Sequence, residues 1–438
     1  MDKKIKLLVI SDDIRIKSGV GIQCKKILTG LLKTGKYDIV ELGGSLNIQV
    51  KSPEMIDGIK VYSTNGESYG TEFQLRYLIS IEKPDIILAF SDPRFFSYLF
   101  QMDNEIREHS KLIFYHTWDN DPFPKFNLPF YSACDGIVMI SEFSHELMKS
   151  GGVECINIPH MQNAQEFYPL SKKEIDKEIH QLKQLVGLKD IDFIIFYNNR
   201  NLDRKRPGDV INIFTKFYKT HPNSVLLMNT SYVDPEGTDL GQLQKEFVED
   251  NIPIIFSINK ITSEKLNMFY NVADVTINIA YQEGFGLCVS ESLLTGTPVI
   301  ATQTGGMTEQ MHQLIHHEEI RCDETGLGCG EYVEDKVFGV LIPPKVRNLF
   351  GVPGAAYIYK DFVSDEDVLF ALEQMYSMKF QKSQNNDNIS MLEELGLRGR
   401  EFISKKYNEE TIIKKWDEYL TEMFNTPSSY KKVKLFKI

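Results

Sequence analysis

Short runs of β-branched and other apolar residues recur along the chain. Each is closed by a turn and followed by a stretch whose apolar positions return every three or four residues. The runs are Leu7–Ile10, Ile86–Phe90, Leu112–Tyr115 and Ile137–Ile140, then Phe193–Phe196, Val225–Met228, Ile254–Phe256, Val275–Ile279 and Pro298–Ala301. Runs of this length without apolar–polar alternation predict strands buried on both faces, as in parallel sheets. The stretches between them predict helices over Ile22–Leu32, Glu142–Lys149, Val210–Lys219, Glu264–Val272 and Leu287–Leu294. The βαβα rhythm implies an α/β fold of doubly wound parallel sheets. It breaks at Ser171–Asp190, a Lys- and Glu-rich stretch that reads as a helix plus linker. The expected organisation is an N-terminal domain over 1–168, a linker over 169–190 and a C-terminal domain over 191–408. A terminal helix near 409–425 would pack back on the first domain, and a basic tail would follow over 426–438. Two such domains are expected to face a central cleft at their strand C-termini, where ligands bind in this class.

Composition narrows the picture little further. The 438 residues carry 61 acidic and 49 Lys or Arg side chains, a net charge of −12. That argues against whole-surface attraction to nucleic acid or anionic membrane, though not against a local basic patch. Six cysteines without a tight CxxC pair read as free thiols of a reducing compartment. The first residues lack a secretory leader and no run approaches 18 apolar residues, so a cytoplasmic location is expected.

Three segments carry candidate chemistry. Ser18-Gly19-Val20-Gly21 follows the first strand and opens the first helix. Glycines there let a ligand approach the backbone, and a helix start favours an anionic group, although the GxGxxG dinucleotide fingerprint is absent. After Phe193–Phe196 comes Asn198-Asn199-Arg200-Asn201-Leu202-Asp203-Arg204-Lys205-Arg206-Pro207. Its four basic residues read either as a solvated surface or as a clamp on a diphosphate. The third runs Tyr281-Gln282-Glu283-Gly284-Phe285-Gly286-Leu287-Cys288-Val289-Ser290-Glu291. It sets two carboxylates eight residues apart around a Gly-Phe-Gly turn, and carboxylates suit sugar hydroxyls. A second turn, Thr304-Gly305-Gly306, leads into a helix that Thr308 would cap.

In this order the segments resemble the retaining glycosyltransferases of family 4, whose fold is GT-B: two Rossmann-like domains. Glu283 to Glu291 is similar to that family's E-x7-E signature, Arg200 and Lys205 to its Arg-x4-Lys clamp, and Gly305-Gly306 with Glu309 to its G-G-x-x-E turn. Phe338–Pro344 resembles its closing strand, and Arg398–Leu420 its terminal helices. The resemblance implies transfer of a sugar from a UDP- or GDP-sugar to an acceptor hydroxyl with retention of anomeric configuration. It implies that Glu291 holds the nucleotide ribose, and that Glu283 with Gly284, Phe285 and Gly286 holds the donor sugar. Gly19, Gly21, Leu287, Gly305 and Gly306 would also line the donor. Arg200 and Lys205 would neutralise the leaving diphosphate. His116, after Leu112–Tyr115, matches a histidine near the reacting centre, or is simply bonded at a strand end. The clamp makes a metal unnecessary, so neither a metal nor another cofactor is expected.

The acceptor is open: a glycan, lipid, protein, small molecule or modified DNA base. Asp92 and Asp119 are weak acceptor-side candidates. Asp119-Asn120-Asp121 spells DxD, a metal motif in the other large glycosyltransferase fold. His312, His316, His317, Cys322 and Cys329 have no standard zinc spacing, and a solvated helix and loop is the expectation for that insertion near 310–336. A second insertion lies near 346–360. Lys431, Lys432, Lys434 and Lys437, beside Leu435 and Phe436, read as a frayed end or as a contact for an anionic surface. The alternatives are a GT-B nucleotide-sugar epimerase and a noncatalytic nucleotide-sugar-binding protein.

Overall fold

The computed structural model describes residues 3–46, 50, 52–249, 251–258, 261–314 and 332–427. Contacts divide the chain into two units, one of 1–161, 351–358 and 409–438, the other of 162–350 and 359–408.

The first unit is built on β1 (Ile5–Asp12), β2 (Tyr37–Gly44), β3 (Glu54–Ile56), β4 (Ile59–Ser63), β5 (Ile86–Ser91), β6 (Lys111–His116), β7 (Gly136–Met139) and β8 (Ile156–Asn157). Their spatial order is β3-β4-β2-β1-β5-β6-β7-β8, parallel except for β3 against β4. The helices are α1 (Gly19–Lys33), α2 (Glu72–Glu82), the short α3 (Ser97–Gln101), α4 (Asp103–Arg107) and α5 (Leu128–Ser132), and α6 (Glu142–Ser150). Leu7, Leu8, Ile10, Ile86, Ile87 and Leu112 are fully buried, as helices on both sheet faces require. The order reverses between β1 and β5, so the first unit's switch point lies at Asp12 and Ser91.

The second unit carries β9 (Phe193–Asn198), β10 (Ser224–Asn229), β11 (Ile254–Ser257), β12 (Val275–Asn278), β13 (Val299–Thr302), then β14 (His312–Leu314), β15 (Tyr332–Val337) and β16 (Gly339–Ile342). Its main sheet runs β11-β10-β9-β12-β13-β16, all parallel, with the switch between β9 and β12. Around it lie α7 (Lys172–Val186), α8 (Pro207–Tyr218), α9 (Leu240–Phe247), α10 (Ser263–Val272), α11 (Leu287–Thr295), the short α12 (Met307–Met311), α13 (Asp365–Phe380) and α14 (Met391–Lys406). Pro207 opens α8, where its missing N–H is not needed.

Several readings change. Residues 169–190 are no linker: α7 belongs to the second unit and is held on α10. The Tyr168 and Leu170 amides donate to Asn267 (3.0 Å) and Asn271 (2.7 Å), and Lys265 pairs with Glu178. The chain passes between units at Met161–Gln162, seven residues before the expected boundary at 168. β14 and β15 pair antiparallel where a solvated helix and loop was expected. Residues 315–331 between them, with His316, His317, Cys322 and Cys329, lie outside the described residues. So do 428–438 and the four tail lysines. The second insertion is a two-stranded sheet of β17 (Val346–Val352) and β18 (Ala355–Phe362). Its tip, 351–358, belongs to the first unit, where the Tyr357 hydroxyl accepts from the Lys125 amide at 3.1 Å.

The helical C-terminal pattern splits into α14 and α15 (Glu409–Asn425). α15 lies in the first unit, with Trp416 fully buried edge-on to Tyr115 at 4.9 Å and Asp417 bonded to Tyr37. Among the described residues no helix is long and apolar enough to cross a membrane.

Candidate active site

At the switch point of the second sheet, three segments meet beyond the strand C-termini. They are the turn after β9, the loop after β12 and the turn after β13. Lys205 and Glu283 are both more than nine-tenths buried and form a direct ion pair. Arg204 Nη1 reaches the Gln282 carbonyl (3.1 Å) and Glu283 Oε2 (3.4 Å), and the Tyr281 amide donates to the Arg204 carbonyl at 3.1 Å. The Tyr281 hydroxyl donates to Asp203, which Lys360 also faces at 3.4 Å. The Gly306 amide donates to the Glu283 carbonyl at 3.0 Å. A Cβ on Gly306 would collide with the Gly284 carbonyl, so the Gly305-Gly306 turn can lie against the Gly284–Gly286 turn only as glycine. Gly286 has φ +89 and stands just ahead of Leu287, the first residue of α11, which puts Glu283 on the loop and Glu291 inside the helix. Thr308 lies within α12, which starts at Met307, so it is no cap. Thr304 instead donates to the buried Asp361 at 2.6 Å, and Arg347 holds the other Asp361 oxygen. Glu309 is buried against the Tyr407 hydroxyl at 3.0 Å.

Arg200 stands apart from this cluster. It is a two-point partner of Asp234 (2.8 and 3.0 Å), 59% of its side chain is exposed, and its hydrogen bonds hold the Asp234 carboxyl below the usual range. Of the expected clamp, therefore, Lys205 meets Glu283 and Arg200 does not. Glu291 accepts from the Tyr270 hydroxyl at 2.7 Å.

The other candidates lie in the first unit. Gly19 and Gly21 are in the first turn of α1, whose cap Ser18 accepts from the Gly21 amide at 3.0 Å. Ser18 also donates to Asp12, so negative charge already stands at this helix start. His116 ends β6 fully buried, with Nε2 2.8 Å from the Tyr131 hydroxyl. Burial pushes its imidazole down to about 3, so it is neutral at physiological pH. Asp92 accepts from the Arg94 amide at 3.0 Å and pairs with its guanidinium at 3.2 Å. Burial raises its carboxyl, and the charge of Asp119 acts in the same direction.

Among the described residues no group of three or more His, Cys, Asp or Glu side chains is arranged to hold a metal ion. The sequence reading missed Arg204, Asp361 and Tyr270. Arg204 looked like one surface cation among four, whereas Asp361 and Tyr270 act on segments distant in sequence and left no local signal.

Residues 178–317 match the model of the glycosyl transferases group 1 family. That segment belongs to this family. A curated relative is a trehalose synthase of Pyrococcus horikoshii, 27% identical over 205 residues, 44% of this chain and 47% of that one. Matches span less than half the length of each of the first three curated relatives. Among solved structures, a glycosyltransferase from Rickettsia africae superimposes with a TM-score of 0.67 at 16% identity, over 98% of this chain and 100% of that one. Anabaena HepE in complex with UDP and glucose gives 0.63 at 14%, over 96% and 100%. At these identities the likeness is one of fold, and the chain has the GT-B fold of two Rossmann-like units. The group 1 segment spans the Lys205–Glu283 cluster, Glu291 and the Gly305-Gly306 turn.

Proposed function

We propose that this chain is a retaining glycosyltransferase that moves a sugar from a UDP- or GDP-sugar to an acceptor hydroxyl. The observation that carries the reading is the buried Lys205–Glu283 pair beside the Gly284–Gly286 turn, at the switch point of the second sheet. A carboxylate there suits donor sugar hydroxyls, and the adjacent ammonium suits the diphosphate oxygens. The departing diphosphate gains negative charge as its bond to the sugar breaks, and a fixed cation lowers that barrier. Arg204, on the same carboxylate, serves as a second cation at this point. Arg200 joins the diphosphate by exchanging Asp234 for it. Glu291 takes the nucleotide ribose. Charge neutralisation falls to side chains, so nucleotide release is expected to persist in EDTA. On the first unit the acceptor side takes Asp92 and Asp119, with neutral His116 nearby in sequence.

The test is steady-state transfer, or donor hydrolysis where the acceptor is unknown, by Lys205→Ala. Turnover falls by about 100–1,000-fold with donor KM changing much less. Equal turnover in wild type and variant would refute the reading.

A further inference from the structure

Tyr270 lies on α10, fully buried, its ring edge-on to Phe196 at 5.0 Å and to Phe167 at 5.9 Å. Its hydroxyl is the middle of a chain of side-chain hydrogen bonds that starts on the sheet. Asn229 and Asn198 close β10 and β9 and are register partners. Asn229 Nδ2 donates to Asn198 Oδ1 at 2.8 Å. Asn198 Nδ2 donates to Tyr270 Oη at 2.7 Å. Tyr270 Oη donates to Glu291 Oε2 at 2.7 Å.

The sense of this chain is set by its ends. Asn229 places a donor on Asn198 Oδ1, which turns the Asn198 amide nitrogen toward the phenol. Once the phenol oxygen has accepted that hydrogen, its own proton is left for the carboxylate. Burial keeps the phenol protonated, so the donor to Glu291 is permanent at any working pH. A glutamate side chain has several rotatable bonds. To accept from two adjacent hydroxyls of one ligand, its carboxylate plane must be fixed, and the rotamer freedom lost on binding weakens the contact unless the protein has fixed it beforehand.

We propose that Tyr270, held by Asn198 and Asn229, is the positioning residue that orients Glu291 toward the vicinal diol of a nucleotide ribose and so makes the site selective for ribonucleotides. The inference rests on the proposed reading of Glu291 as the ribose ligand. Tyr270 touches no substrate; it acts through the carboxylate. Asn198 and Asn229, the polar residues that end two adjacent strands, act through Tyr270.

The experiment measures dissociation constants of UDP, GDP and their 2′,3′-dideoxy forms on the full chain, wild type and Tyr270→Phe. With whichever base binds, wild type prefers the ribose form by tenfold or more. Tyr270→Phe loses about tenfold on the ribose form and nothing on the dideoxy form, as expected for one charge-assisted hydrogen bond. It also has no further effect in a Glu291→Ala background. Asn229→Ala, three hydrogen bonds away from Glu291, shifts binding in the same direction by less, and stands in if Tyr270→Phe does not fold. Equal weakening of both ligand forms would mark Tyr270 as a packing residue and overturn the proposal while leaving the ribose reading intact. A wild type that binds the two forms equally, or binds neither nucleotide, would overturn the reading of Glu291 and the proposal with it.

Discussion

Lys205, Glu283 and Arg204 concentrate two cations on one buried carboxylate, and the surrounding backbone leaves no slack. Gly306 is the tightest point, because a methyl group there meets the Gly284 carbonyl. Gly306→Ala is expected to introduce strain of about 1–3 kcal/mol and to separate the two glycine turns. Donor turnover then falls at least as much as stability, which paired calorimetry and nucleotide-release assays would register. Unchanged turnover would show that the turns need not touch. Histidine burial leads to a second expectation. His160 is held at about 3 by burial, against an ordinary value near 6.5, and its Nδ1 lies 2.8 Å from the Tyr115 hydroxyl. Between those two values the unfolded chain binds the proton and the folded one does not, so the contribution of His160 to stability is lost as pH falls through that window. His160→Gln should therefore lose less stability than wild type between pH 7 and pH 5, by urea denaturation at each pH. Parallel losses would contradict the assignment. The charged residues of the site were legible as spacing, eight residues from Glu283 to Glu291 and five from Arg200 to Lys205. Their partners were not, because Asp234 on Arg200 and Tyr270 on Glu291 are brought there by the fold.

Continuous apolar runs revealed β9 and β10, because strands covered on both faces leave no room for alternation. β2 escaped the same reading, since Asp38 and Glu41 interrupt Tyr37–Gly44. Glu41 is fully buried, and its carboxylate accepts from the Ile14 amide at 3.2 Å. Burial lifts its carboxyl well above the ordinary range, so a charged residue in this sequence marks an interior strand. β17 and β18 escaped because their turn-rich, aromatic sequence carries neither helical nor alternating order. α7 was legible as a helix, with its Ser171/Glu174 capping box and Gly187 just past its end in the left-handed region. Its assignment was not legible, since its anchor is Lys265 on α10, which pairs with Glu178 across 87 positions of sequence. α15 provides the test at this scale. Trp416→Ala removes a fully buried ring packed on Tyr115 and is expected to cost about 3–5 kcal/mol. A denaturation midpoint within error of wild type would show that α15 contributes little to the first unit.

At the scale of the whole molecule, the chain joins two α/β units, and the segment that matches the glycosyl transferases group 1 family lies in the second. That unit holds the cluster at its β9/β12 switch point, where backbone turns and helix starts gather beyond the strand ends. The first unit holds His116, Asp92 and Asp119 at the ends of its own parallel strands. The proposed activity assigns the donor to the second unit and predicts that a nucleoside diphosphate stabilises it by mass action, with a melting temperature that rises with ligand concentration. The measurement that tests the central claim most directly is nucleotide release from a panel of UDP- and GDP-sugars, with and without EDTA, by wild type and Glu283→Ala. The account predicts slow release from one donor class, insensitive to EDTA and abolished by Glu283→Ala. Release from no donor, or release that Glu283→Ala leaves intact, would contradict it, and release that EDTA stops would contradict the assignment of charge neutralisation to Lys205 and its neighbouring arginines.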